Sequence, residues 1–230
     1  MCEGVVVPLM TDFSELIGRF DADSAVGEAA DRVSSLDTRA GFLKKAGLGA
    51  GAVLGGGALM GALPGIASAG VAASDVAILN YALTLEYLES AFYTEALAMG
   101  KISDKNVLAF AQVVAKHEQL HVGFLKGALG SAAVKKPKFD FKGTTADQAK
   151  FMATAQVLED TGVAAYLGQV GLIKSKKILG AAGSILPVEA RHAGWIRNLN
   201  GVTGAPQAFE APKSKAQVLA AVKATGFIVG

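Results

Sequence analysis

Glu118-Gln119-Leu120-His121 and Glu189-Ala190-Arg191-His192 decide how this chain is read. The chain has three histidines, His117, His121 and His192, and two of them follow a glutamate by three residues. With ten glutamates in 230 residues, two such matches out of three arise by chance less than about 1% of the time. At positions i and i+3 of a helix the two side chains share a face. One carboxylate and one imidazole can then point at the same metal ion.

Two further pairs extend the pattern. Glu86 precedes Tyr93 by seven residues, and Glu159 precedes Tyr166 by seven. Seven residues is nearly two helical turns, so each Glu and Tyr share a face. The halves repeat as Glu-x6-Tyr followed by Glu-x-x-His. The offset is 73 residues from Glu86 to Glu159 and 71 from Glu118 to Glu189. Such a repeat predicts a pseudo-twofold bundle of two helical hairpins.

The flanking sequence supplies the helices. Ser74 reads as the cap of a first helix starting at Asp75, with apolar residues at helical spacing through Ile78, Leu79, Ala82, Leu85, Phe92, Ala96 and Met99. Gly100 closes it. Ser103 reads as the cap of a second helix, Asp104 to Leu129, closed by Gly130. Thr145 with Gln148 forms a capping box for a third, running to Leu172. A fourth spans Ser175–Leu199, and Pro187 should kink or divide it. A short helix, Lys215–Ala224, follows an irregular tail. Phe92, Phe110, Phe124 and Trp195 read as core. The lysines of the crossover and Lys174, Lys176 and Lys177 read as solvated. No strand-period alternation stands out.

Helix arithmetic puts the chemistry at one height. Glu86 and Glu118 each lie about 23–25 Å from the first turn at ~1.5 Å per residue, and Glu159 and Glu189 are level about the second turn. The segment Gly130–Thr144 must then cross the length of the bundle; it spans roughly 50 Å extended, against ~38 Å for a 25-residue helix. The expected fold is all-α: a four-helix bundle over 70–200 with a long crossover between helices 2 and 3. A C-terminal tail with a short helix occupies 201–230.

Charge divides the chain differently. Residues 1–38 carry eight acidic and two basic side chains, an acidic N-terminal extension of net charge −6. Residues 39–69 hold Arg39, Lys44 and Lys45, then the uncharged run Ala46–Ile66 and Ala67-Ser68-Ala69, an A-x-A cleavage pattern. The segment Thr38-Arg39-Ala40-Gly41-Phe42-Leu43-Lys44 resembles the twin-arginine export motif, with Ala40 in place of the second arginine. The run is long enough to span a bilayer but dense in glycine, which suits a cleavable leader better than a permanent anchor. The expectation is an extracytoplasmic protein that contacts the membrane and translocon transiently through 39–69; anchoring by 46–69 is the alternative.

Composition excludes several classes. The chain is 51% hydrophobic and 18% charged, unlike a disordered protein. Its one cysteine, Cys2, rules out a disulfide framework and a cysteine zinc site. A net charge of +2 gives no argument for a nucleic-acid partner. Four carboxylates and two imidazoles meeting in an apolar core would be prohibitive uncompensated, and two divalent metal ions would compensate them. Their oxygen and nitrogen donors suit iron or manganese, while the lack of thiolates argues against copper(I) and iron–sulfur clusters. Zinc would make the centre redox-silent.

Residues 75–200 resemble the ferritin-like superfamily. The wording Leu83-Thr84-Leu85-Glu86-Tyr87-Leu88-Glu89-Ser90-Ala91-Phe92-Tyr93, with Leu158-Glu159-Asp160-Thr161-Gly162-Val163-Ala164-Ala165-Tyr166, looks like its exported branch. That branch includes bacterial ferritin-like domain proteins and plant desiccation-related proteins. The resemblance implies a ferritin-like bundle with Glu86 and Glu159 as terminal ligands and Glu118 and Glu189 as bridges. His121 and His192 would each bind one metal. Tyr93 and Tyr166 would lie beside the centre, bonding a ligand or donating an electron. Glu89, one turn from Glu86, could replace it or sit behind it; Glu86 is preferred because it repeats the Glu159 spacing. His117 reads as exposed or as support for a ligand. Iron is the first metal expected and manganese the second. The expected activity is oxidation of Fe(II) or a small reductant by O2 or H2O2. The alternatives are peroxide disproportionation by a di-manganese centre and a non-catalytic stress or desiccation protein that the metal staples. A homodimer is left open, and nothing in 201–230 suggests a storage cage.

Overall fold

Four long helices carry the repeat. In the computed structural model, which describes residues 72–229, α1 spans Ala73–Met99, α2 Lys105–Leu129, α3 Gln148–Val170 and α4 Lys176–Leu199. A fifth helix, α5, spans Lys215–Thr225. The acidic extension 1–38 and the leader-like segment 39–69 lie outside the described residues. α1 pairs with α2 and α3 with α4, and the hairpins meet through α1 against α3 and α2 against α4. Among the described residues the one β-bridge joins Phe139 to Ile228, so the fold is all-α, with the crossover running between α2 and α3.

The helix ends depart from the sequence reading. α1 starts at Ala73 with no side-chain cap; the Ser74 hydroxyl donates instead to Asp75. α2 is capped by Asp104, not Ser103, through its Oδ1 to the N–H groups of Asn106 and Val107. α3 is capped by Asp147, not by a Thr145–Gln148 box: the Thr145 hydroxyl donates to Glu95 Oε1. α3 ends at Val170. Pro187 lies inside α4 without dividing it. Gly100, at φ 59°, closes α1 in the left-handed conformation where a side chain would be strained.

Two freed side chains clasp the hairpins together. Asp75, at the start of α1, is fully buried and accepts the N–H groups of Lys174 at 2.9 Å and Ser175 at 2.8 Å. Gln148, at the start of α3, accepts those of Ser103 at 2.8 Å and Asp104 at 2.9 Å. The first helix of each hairpin thus caps the turn of the other. Asp75 and Gln148 are 73 residues apart, and the turns they bind are offset by 71, the same offsets that relate the Glu and His residues.

Two apolar clusters flank the middle of the bundle. One is aromatic: Phe92 stacks on Phe151 at 5.3 Å and meets Phe141 of the crossover edge-on at 5.4 Å. Removing a ring as buried as Phe151 would cost about 3–5 kcal/mol. The other gathers Leu79, Leu83, Leu125, Ile178 and Ile185. Phe110 is buried, but Phe124 is only half-buried, and Trp195 is 37% exposed, resting edge-on against Phe110. Met99, in the last turn of α1, is exposed. The crossover lysines Lys135, Lys136, Lys138 and Lys142 are exposed, yet Phe141 between them is buried.

The tail joins the bundle. Lys213 N–H donates to the Ala164 carbonyl of α3 at 3.0 Å. A Cβ on Gly168 would stand 2.0 Å from the Lys213 carbonyl oxygen, so only glycine lets the strap lie this close. Val218, Val222 and Phe227 then enter the aromatic cluster.

Candidate metal centre

Six side chains from four helices meet at mid-bundle: Glu86 from α1, Glu118 and His121 from α2, Glu159 from α3, Glu189 and His192 from α4. All four carboxylates are fully buried. Their donor atoms form two groups, each with its atoms within 4.8 Å of one another: Glu86, Glu118, His121 and Glu189, and Glu118, Glu159, Glu189 and His192. Glu118 and Glu189 belong to both.

The imidazoles mirror each other. His121 Nδ1 stands 3.2 Å from Glu86, 3.4 Å from Glu118 and 3.0 Å from Glu189. His192 Nδ1 stands 3.2 Å from Glu118 and 3.3 Å from Glu159. Each thus faces the lone Glu of its own hairpin and the Glu-x-x-His carboxylate of the other. Behind His192, its Nε2 meets His117 Nδ1 at 2.8 Å with the rings stacked, so His117 orients this imidazole from outside.

The tyrosines cross between hairpins. The Tyr93 hydroxyl donates to Glu159, and the Tyr166 hydroxyl donates to Glu86. Burial and the charge on those carboxylates hold both phenols well above their usual pKa. Each therefore keeps its proton and fixes the carboxylate it touches. Glu89 is buried beside the centre but belongs to neither donor group.

Charge at the site is strongly perturbed. Burial, then the charges of Glu189 and Glu86, hold the Glu118 carboxyl well above the usual range. Burial and Glu86 push Glu189 to about 7. Burial alone would raise Glu86 too, but His121 more than reverses it. Burial alone would lower His121, and Glu118, Glu189 and Glu86 raise it instead. His192 is raised in the same way, chiefly by Glu159, while burial and His192 lower His117.

The donor set fits a pair of metal ions. Both oxygens of Glu118, both of Glu189, Glu159 Oε2 and His192 Nδ1 are buried without a hydrogen bond. Buried polar atoms are rarely left so, and these converge on one place. Four carboxylates match the charge of two divalent cations, and oxygen with imidazole nitrogen suits iron, manganese or zinc. A Glu from each of two helices and a Glu-x-x-His from each of the other two is the arrangement of ferritin-like di-metal carboxylate proteins. Residues 74–202 match the family model of the ferritin-like domain. The chain belongs to the ferritin-like domain family. No curated protein matches it.

Within this ferritin-like bundle, sequence reasoning missed the two clasps and the crossed tyrosine bonds. Each needs knowledge of which hairpin faces which. One apolar pocket also escaped it. About 20 Å3 in volume, it is lined by Leu79, Leu85, Phe124, Ala165 and Ile185 among others, and by Tyr166, which it shares with the centre.

Proposed function

We propose that this ferritin-like protein is an exported di-metal oxidoreductase that uses O2 or H2O2 to oxidise Fe(II) or another small reductant. Iron is the first candidate for the resident metal and manganese the second. The observation that carries the reading is the pair of four-residue donor groups sharing Glu118 and Glu189 in a fully buried layer. Bound there, iron or manganese supplies reversible one-electron chemistry next to a small oxidant.

The chain's own residues set the conditions for that chemistry. Glu118 and Glu189 hold the two positions together. His121 and His192 present Nδ1 inward, and His117 fixes the His192 ring. Tyr93 and Tyr166 keep their protons, donate them as hydrogen bonds to Glu159 and Glu86, and are placed to give up an electron. The flanking apolar clusters exclude water. The apolar pocket at Tyr166 offers a small oxidant an apolar surface beside the centre. Export rests on residues 39–69; no helix among the described residues is long and apolar enough to cross a membrane.

The test is metal analysis of the full chain after growth with iron or manganese, beside the Glu118→Ala/His121→Ala variant, followed by O2 and H2O2 consumption. About two ions per chain in the wild type only, with oxidant consumed as Fe(II) is oxidised, is the expected result. Manganese with peroxide disproportionation would replace the oxidase reading by a catalase one. Metal without turnover would leave a stress protein stapled by its metal. A wild type that takes up neither metal ends the reading.

A further inference from the structure

The repeat fails at one position of the centre. The 73-residue offset carries Glu86 to Glu159 and Tyr93 to Tyr166, but it carries Glu89 to Gly162. Glu89 is 3% exposed and lies one turn from Glu86 on the same face of α1. A Cβ on Gly162 would stand 3.2 Å from Glu89 Oε1, 3.8 Å from Glu89 Oε2 and 3.3 Å from Glu189 Oε2. Those contacts would force one carboxylate or the other to shift. The missing side chain on α3 is therefore what admits Glu89 to the edge of the centre, where its carboxylate and that of Glu189, common to both donor groups, flank the same point.

The surroundings say which side Glu89 serves. Gly162 lies one turn beyond Glu159 on α3, so a Glu89 carboxylate oxygen 3.2 Å from the Gly162 Cβ position has reached α3 on the Glu159 side of the centre. It thus leans across the bundle, away from the position that holds Glu86. A buried carboxylate among four others is costly unless a cation compensates it.

We infer that Glu89 is a seventh ligand of the centre, serving the metal position formed by Glu118, Glu159, Glu189 and His192. The two positions, alike in the repeat, then differ in affinity. This rests on the di-metal reading above and deepens it.

The test is titration of the metal-free full chain with Mn(II) alone, followed by calorimetry and by the electron paramagnetic resonance of free Mn(II). The wild type should take up two ions in separate steps, with dissociation constants at least about tenfold apart. Glu89→Gln keeps the side-chain volume and should weaken the tighter step at least about tenfold while leaving the other within about twofold. Gly162→Ala should weaken both steps, the tighter one more, because it crowds Glu189 as well as Glu89, and Glu86→Gln should weaken the other. The metal-free Glu89→Gln protein should melt at or above the wild-type temperature, which separates a lost ligand from a lost fold. Two steps that Glu89→Gln leaves unchanged would overturn the assignment while the di-metal centre stands. A wild type that binds no Mn(II) would overturn the centre and the assignment together.

Discussion

The two hairpins are built on one plan and differ where the plan meets its surroundings. Each supplies a Glu, a Glu-x-x-His and a tyrosine that reaches across to the other's Glu. Each also sends a side chain from its first helix to cap the turn of its neighbour. The differences are few and local. Asp75 makes one clasp as a buried anion, whereas Gln148 makes the other as a half-buried amide. His192 is backed by His117, and among the described residues no second imidazole backs His121. Glu89 faces a glycine. The shared features place donor atoms, and the unshared ones set how strongly each position holds what it binds.

The sharpest way to break the symmetry is to remove a shared carboxylate and an unshared one in turn. Glu118→Ala should cost at least about a hundredfold in affinity at both positions, because its oxygens face both imidazoles. Glu86→Ala should cost as much at one position only. Metal titration of the two variants checks this; equal losses would mean that the positions are not built as two groups.

The clasps come next in size. Asp75→Ala leaves two part-buried N–H groups without their anion and should destabilise the fold by about 2 kcal/mol, whereas Gln148→Ala removes neutral bonds nearer the surface and should cost about 1 kcal/mol. Denaturant unfolding of the metal-free proteins measures both. Similar costs would show that burial of Asp75 adds nothing.

The clasp and the centre also respond to pH with opposite sign. Burial pushes Asp75 up, but the N–H groups of Lys174 and Ser175 more than reverse this, so its carboxyl sits below its ordinary 3.8. Its contribution is present above that value and is lost as the pH falls through the lowered one. Glu118 and Glu189 are raised, Glu189 to about 7 from 4.5, so the folded chain keeps protons that the unfolded chain has released. That contribution is complete below 4.5 and disappears as the pH rises toward 7. His121, also raised, adds stability below its ordinary 6.5 that is lost only as the pH passes its raised value. Glu86, held below its usual value, opposes them. The metal-free protein should therefore melt several degrees lower near pH 8 than near pH 5, and bound metal, which displaces those protons, should reverse the trend. A melting temperature of the metal-free protein that rises over this range would contradict the buried proton inventory.

How much of this was legible follows from what each feature depends on. The six convergent residues could be found because helical spacing alone puts Glu and His on one face and at one height. Caps were misread by one or two residues, in α3 because Thr145 and Gln148, plausible as a local box, are taken by Glu95 and by the far turn. Trp195 reads as core from the sequence, yet it is 37% exposed and covers Phe110 edge-on. Local rules fail where a side chain is drawn away by a partner distant in sequence, and the clasps are such cases.

Tyr81 is the smallest departure from the repeat and runs against the others. It has no counterpart in α3, where the 73-residue offset falls on Thr154. Tyr93 and Tyr166 each spend their hydroxyl on a carboxylate of the opposite hairpin. The Tyr81 hydroxyl is buried with no hydrogen bond, burial pushes its pKa to about 12, and Lys215 Nζ lies 5.5 Å from the ring centre. The ring keeps its packing and its cation contact without the oxygen. Tyr81→Phe should therefore leave metal uptake unchanged and stabilise the fold by up to about 1 kcal/mol. Tyr166→Phe keeps its ring as well, but frees Glu86 from its only phenolic donor and should weaken the position that Glu86 serves. Parallel unfolding and Mn(II) titration separate the two. A Tyr81→Phe protein that loses stability would show that the unmatched hydroxyl has a partner after all, and that the first hairpin carries a polar contact the second never copied.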